Sequence, residues 1–291
     1  MAYWLKQKFI LADKLPLHFL KQKSVAIGSS LILGMIFLAI FAPHLTLYDP
    51  VEVDLRNNIL SPSWEHLFGT DNLGRDVLTR VIYATRIDIL ASLFIVGISV
   101  TIGLFIGMFA GYYGGKIDKA LVGVMDTFLA LPDIILALVL VGALGPGIFN
   151  AALALSFVGW VRYARVSRGL ILSIKEKEFI EATKALGVGD FYLIARHIAP
   201  NIVAPISTLA ALHLGHAILS LAALGFLGLG AQPPMPEWGA MLNEGRVFLR
   251  VGWWLSVFPG LMIMITVLAF NFLGDGLRDA LDPRMKEVMI K

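Results

Sequence analysis

Apolar residues run along this chain in long blocks, separated by polar stretches rich in Gly and Pro. The blocks fall at 24–42, 87–110, 120–141, 148–166, 202–224 and 252–273. Each is close to the roughly 20 residues that a helix needs to cross the hydrocarbon core of a bilayer. Continuous apolar runs of this length predict helices, since barrel strands would be shorter and alternating. In lipid the backbone must satisfy its own hydrogen bonds, which a helix does within one segment. The expected fold is an all-α, polytopic membrane bundle of about six spans.

The intervening segments divide the chain. Residues 1–85 hold a basic leader, the first span and a polar loop; residues 86–291 form a core of five spans. The first span follows Lys6, Lys8, Lys14, Lys21 and Lys23. A cleaved signal peptide is the competing reading. The long charged region and the lack of a small-x-small site after Phe41 favour an uncleaved anchor. A 35-residue polar segment, 167–201, separates the fourth and fifth spans.

Composition agrees with the pattern. Of 291 residues, 57% are hydrophobic and 15% charged, and the mean hydropathy is +0.77. Soluble domains carry about 25% charged residues. Cys is absent, which excludes disulfides, thiolate metal sites and cysteine nucleophiles.

Charge placement orients the bundle. With the N-terminus in the cytoplasm, the inner segments hold 18 Lys and Arg and the outer segments hold 6, the full 24. The outer six are Arg56, Arg75, Arg80, Arg86, Arg246 and Arg250. Both termini are therefore expected inside, and so is the 167–201 segment.

That segment carries Glu176-Lys177-Glu178-Phe179-Ile180-Glu181-Ala182-Thr183-Lys184-Ala185-Leu186-Gly187 and later His197-Ile198-Ala199-Pro200. Residues 174–186 predict a short amphipathic helix with Ile174, Phe179, Ala182 and Leu186 on its apolar face. Gly187 suits the helix stop, and Pro200 marks the start of a further element. Such a helix either anchors the bundle at the interface or docks a cytoplasmic partner.

Glu181-Ala182-Thr183, Gly187, His197 and Pro200 stand at the spacing of the "EAA" loop, which this segment resembles, of ABC-importer permeases. Thr183 replaces the usual third alanine. In that family the loop is the coupling helix seated in a groove of the ATPase subunit. The block 67–80, LFGTDNLGRDVLTR, is similar to the signature of "C" subunits in the dipeptide, oligopeptide and nickel branch. Gly111–Asp118, Phe226–Gly230, Pro236–Gly239 and the 271–283 block resemble further blocks there. The resemblance implies a transport subunit in the inner membrane of a prokaryote, not an enzyme. It implies a second permease, two ATPases and an extracytoplasmic binding protein as partners, with no nucleic acid. ATP and Mg would sit on the ATPases, and this chain would bind no cofactor. Leu221-Ala222, with Gly215-His216 upstream, leans toward nickel or metal-chelate members over peptide members.

Other candidates carry less. His213 and His216 stand three apart on the fifth span and share a side; they could meet a divalent metal or be satisfied within the bundle. Asp126 and Asp133, seven apart in the third span, share a face, as pathway residues or as structural pairs. Arg162 and Arg165 suit snorkelling at the cytoplasmic end of the fourth span. Gly103, Gly107 and Gly111 form a smooth stripe, for packing inside the bundle or between subunits. Gly114-Gly115-Lys116 lacks the P-loop's first Gly and the Ser or Thr after Lys, since Ala110 and Ile117 stand there. A stand-alone secondary transporter or channel is the alternative; it would show inverted repeats or broken helices around a midplane site, and the sequence offers no convincing repeat.

Overall fold

The computed structural model describes residues 23–281. The basic leader before Lys23 and the tail after Leu281 lie outside the described residues. The elements are α1 (Lys23–Leu45), α2 (Val77–Tyr113), α3 (Gly115–Leu129), α4 (Asp133–Leu144), α5 (Ile148–Lys175), α6 (Glu178–Ala185), α7 (Asp190–Phe226), α8 (Trp238–Gly245) and α9 (Trp254–Leu281). Two single turns of 3₁₀-helix, Leu55–Asn57 and Arg246–Phe248, lie in the loops. Among the described residues there is no strand, and the all-α expectation holds.

Four helices are long and apolar enough to cross a membrane: α1, α2, α7 and α9. Two expectations change. The block 120–141 is not one straight span. It breaks at Ala130-Leu131-Pro132, and α3 and α4 meet at 88°. Pro132 has no N–H to give the preceding turn, and its ring disfavours helical backbone at Leu131. Counted as one bent span, the pair makes a fifth. The expected fourth span lies within α5, whose apolar run is interrupted by Arg162 and Arg165. The helix continues through these charges to Lys175, and α3 answers two arginines of α5. Arg168 makes a bidentate pair with Asp118 at 2.5 and 2.7 Å, and Arg165 pairs with Asp126.

The core of the bundle is α2 against α5. Gly103, Gly107 and Gly111 face α5 along its whole contact. A Cβ at Gly103 would stand 2.5 Å from the Trp160 carbonyl, and one at Gly107 would overlap the Ser167 hydroxyl. The stripe therefore packs helices within this chain, where close backbone approach multiplies small dispersion gains. Ile95, Val96, Ala137, Leu155, Tyr163 and Leu221 gather there, joining α2, α4, α5 and α7. A second cluster joins the start of α2 to α7, α8 and α9 through Val77, Val81, Trp238, Trp254 and Phe270. A third, at the other end of α2, gathers Tyr112, Ile171, Ile180, Leu193 and Ile198.

Pro200 lies in the first turn of a regular helical stretch, Ala199–Phe226, as expected. A π-turn joins that stretch to Asp190–Leu193, so that α7 is continuous from Asp190. Just before the proline, Ile194–Ile198 widens to a π-turn, and the Ala199 N–H reaches back to the Ile194 carbonyl. A wider turn makes room for the proline ring against the carbonyl four residues earlier, which in a regular helix it would strike.

Candidate functional site

Three constellations carry polar chemistry, and they lie at the two ends of α2 and between them. The first is the 167–201 segment. Helix α5 ends at Lys175, and α6 is a separate helix of eight residues. Its buried residue is Ile180, whose insertion into the Tyr112 cluster stabilises the fold by about 1.5–3 kcal/mol. Of the face expected from periodicity, only Ile174 is buried; Phe179 is 43% and Leu186 83% exposed, and Ala182 is exposed too. One buried contact on a short helix thus orients its remaining apolar groups outward. Phe191, at 85%, and Tyr192, at 54%, extend that surface.

Each residue of the loop has a visible place. Glu181 and Ala182 are exposed on α6. The Thr183 hydroxyl donates to the Phe179 carbonyl at 2.7 Å, so it serves its own helix where an alanine would serve as well. Gly187 has φ +74°, a left-handed conformation that favours glycine just past a helix end, and its N–H donates to the Lys184 carbonyl. His197 stacks loosely between Phe179 and Tyr192, at 6.4 and 5.9 Å between centroids. Tyr112 ties the segment to the end of α2: its hydroxyl bonds Asp190, its carbonyl accepts from Lys175 at 2.6 Å, and Lys184 lies over its ring.

The second constellation sits at the opposite end of α2, and the sequence reading did not assemble it. Asp71 accepts from the Leu73 and Arg75 N–H groups, and its other oxygen takes the Arg75 Nε at 2.6 Å. Arg75 and Arg80 both reach Glu244 Oε2, at 2.9 and 3.1 Å. Both arginines are almost wholly buried, at 2% and 1% exposure. Next to them Asp76 caps α2 through the Thr79 N–H and holds His66 at 3.0 Å. The loop is closed by Phe68 stacked on Phe258 at 3.8 Å and by Trp254 Nε1 donating to the Thr70 carbonyl. Gly74, at φ +76°, lies so close to the Asp54 carbonyl that a Cβ would collide with it. About two turns beyond Arg80 along α2, Asp88 Oδ2 accepts from the Trp238 N–H, while its Oδ1 has no partner among the described residues. Glu237 caps α8 by accepting from Gly239 and Ala240 at 2.6 and 2.8 Å. Burial beside Asp88 pushes the Glu237 carboxyl above its ordinary range, against the pull of those two N–H groups.

The third constellation is a cavity of about 160 Å³ at the α3–α4 break, walled by α2, α5 and α7. It brings together Asp133, Arg162, His213 and His216. His213 is buried and bonded to the Tyr163 hydroxyl at 2.8 Å. His216 Nε2 stands 3.8 Å from Asp133 Oδ2, and the two histidine rings are 5.8 Å apart. Asp126 is not part of this set. The break turns it away from Asp133 and onto Arg165, so the expected shared face does not exist. Arg162 lines the cavity rather than lying at the end of α5, in place of the expected snorkelling. Among the described residues no group of three or more His, Asp or Glu is placed to hold a metal ion.

Among the described residues the chain is thus a helical bundle of several apolar spans, one of them broken, with an exposed apolar loop at one end. Comparison with known proteins gives its kind. Residues 103–287 match the model of the binding-protein-dependent transport system inner membrane component. Residues 17–62 match the N-terminal TM domain of oligopeptide transport permease C. The dipeptide transport system permease protein DppC of Alkalihalophilus pseudofirmus is 46% identical over 91% of this chain and 88% of its own length. DppC of Escherichia coli strain K12 is 44% identical over 93% and 92%. The glutathione transport system permease protein GsiD of Escherichia coli O6:K15:H31 is 43% identical over 92% and 89%. An inward-facing structure of the MetNI methionine ABC transporter shares the fold at TM-score 0.58 and 18% identity, over 70% of this chain and 98% of that one. The chain belongs to the family of binding-protein-dependent transport system inner membrane components, as a C-type permease subunit of an ABC importer. The lean toward nickel or metal chelates finds no support here: the relatives just named are dipeptide and glutathione permeases, and the histidine pair lacks further ligands.

Proposed function

We propose that this subunit forms half of the pore of a peptide importer and is driven through α6 by ATPases outside its own chain. The observation that carries the coupling role is the split character of α6. Ile180 is locked into the bundle while Phe179, Leu186 and Phe191 face outward without cover. A force applied to that surface reaches α5, α7 and the end of α2 through Tyr112, Lys175 and Asp190. Glu181, Ala182, Thr183, Gly187, His197 and Pro200 belong to this lever as contacts, as the helix stop and as the turn that admits α7. ATP and Mg act on the partner subunits, and closure of those subunits biases the permease between inward and outward states only through differential contacts at this surface. Six spans with both termini in the cytoplasm place α6 where an ATPase reaches it, and the loop of 43–85 with α8 where a binding protein delivers substrate. The dipeptide permeases among the relatives favour a short peptide as cargo.

The test is uptake into proteoliposomes. The chain is purified with its second permease, ATPases and binding protein, and labelled dipeptide is supplied with and without ATP. Uptake that requires ATP and the binding protein is the expected result. Transport by the chain alone without ATP would make it a secondary transporter.

A further inference from the structure

The cavity at the α3–α4 break holds two opposite charges on different helices. Asp133 opens α4 and is 53% exposed; its Oδ1 accepts from the Ile134 N–H at 2.9 Å, and its charged partner among the described residues is His216, at a loose 3.8 Å from Oδ2. Arg162 stands on α5, is exposed, and makes no ion pair or side-chain hydrogen bond among the described residues. On the same helix Arg165 pairs with Asp126 and Arg168 with Asp118. Arg86, Arg196 and Arg278 have no ion pair among the described residues either, but Arg162 is the one of these that lines the cavity. At about 160 Å³ the space is well above the ~10–15 Å³ that one water needs. Its walls are otherwise mostly apolar, with Ile95, Phe128, Leu131 and Val158. Apolar walls with a few convergent polar groups are the make-up of small-ligand sites. Ionisable groups kept inside a membrane bundle line pathways far more often than lipid.

We propose that this cavity is a passage site for the two ends of a short zwitterionic peptide, with Arg162 taking the carboxylate and Asp133 the ammonium. A guanidinium fork fits a carboxylate with two parallel N–H bonds. Asp133 offers two acceptor oxygens to an ammonium, and His216 beside it limits how tightly that ammonium is held. His213, fixed by Tyr163, positions the wall and does not contact cargo. A site of this kind accepts any side chains, because it reads only the charges that all free peptides share. The inference rests on the peptide-importer reading.

The experiment uses the assembled importer in proteoliposomes with its binding protein. Uptake of a labelled dipeptide, its C-terminal amide and its N-acetyl form is measured, each normalised to its occupancy of the binding protein. Wild type is expected to move the free dipeptide at least tenfold faster than either blocked form. Arg162→Gln should lower free-dipeptide uptake at least tenfold and abolish discrimination against the amide alone. Asp133→Asn should do the same for the N-acetyl form alone, and Arg162→Lys should retain part of the rate. ATP hydrolysis stimulated by loaded binding protein should stay within twofold in all three, which shows that the complexes are assembled. Unchanged uptake and discrimination in both neutral variants would overturn the inference and leave the importer reading intact. No dipeptide uptake by wild type would overturn both.

Discussion

The two ends of α2 are built on opposite terms. At the Val77 end, the loop is sewn to α8 by charges that answer one another, Asp71, Arg75, Arg80 and Glu244, with His66 and Asp76 beside them, and to α9 by Trp254 and Phe258. Gly74 and the Phe68–Phe258 stack leave little room for movement there. At the Tyr112 end, one buried isoleucine holds a helix whose other apolar groups are open. The arginines at the first end have their acidic partners within the chain, and apolar contacts are incomplete at the second. A finished end keeps its shape by itself. An unfinished one leaves apolar groups free for another protein, the role proposed for it above.

That contrast can be broken most severely at the finished end. Arg80→Met removes a buried cation that faces buried Asp71 and half-buried Glu244. Stripping one side of a buried ionic network costs about 3–5 kcal/mol. Thermal unfolding of the purified complex in detergent should show a large drop, whereas Arg250→Met, in the loop after α8, should leave the midpoint nearly unchanged.

The unfinished end should respond in the opposite sense. Leu186→Asp touches almost nothing within the chain, so stability should move by no more than about 0.5 kcal/mol. ATP-driven uptake should nonetheless fall tenfold or more, since contact with the ATPase is what that side chain would supply. A stability loss as large as that of Arg80→Met would dissolve the distinction between the ends.

The smallest effect concerns protons. Glu237 has a folded pKa raised by burial. Its contribution to stability is therefore fully present below the ordinary carboxylate value of about 4.3 and is lost as pH rises through the raised one. Glu237→Gln keeps an acceptor for the α8 cap and removes the titration. Melting temperature measured from acid to neutral pH should decline in wild type and be flatter in the variant. Equal slopes would place the proton elsewhere.

Much of the frame is legible in the sequence, because apolar blocks report helices directly. Five of the six expected spans each lie on one helical element and the third on two, and a short helix before Gly187 was readable, though it starts at Glu178. The break at Pro132 was legible in principle. It was masked because hydropathy continues across it, while a proline acts on hydrogen bonds, not on hydropathy. The face of α6 was misjudged for a related reason: on a helix of eight residues, periodicity cannot tell a face that meets the bundle from one that meets a partner. The ion network was out of reach. Arg75 and Glu244 are 169 residues apart, and no periodic signal joins positions at that distance. Arg162 was misplaced because its position in α5 looked terminal, whereas the helix continues to Lys175.

The central claim is that the open end meets the ATPase and the closed end does not. The chain contains no cysteine, so one introduced thiol is unique in it. Leu186→Cys and Trp64→Cys place that thiol on side chains that are 83% and 97% exposed, at opposite ends. In the assembled importer, a short bifunctional thiol–amine cross-linker should join the Leu186→Cys variant to an ATPase subunit, with a yield that changes when ATP is bound, and should leave Trp64→Cys unjoined to it. Cross-linking of the ATPase to Trp64→Cys but not to Leu186→Cys would contradict the account.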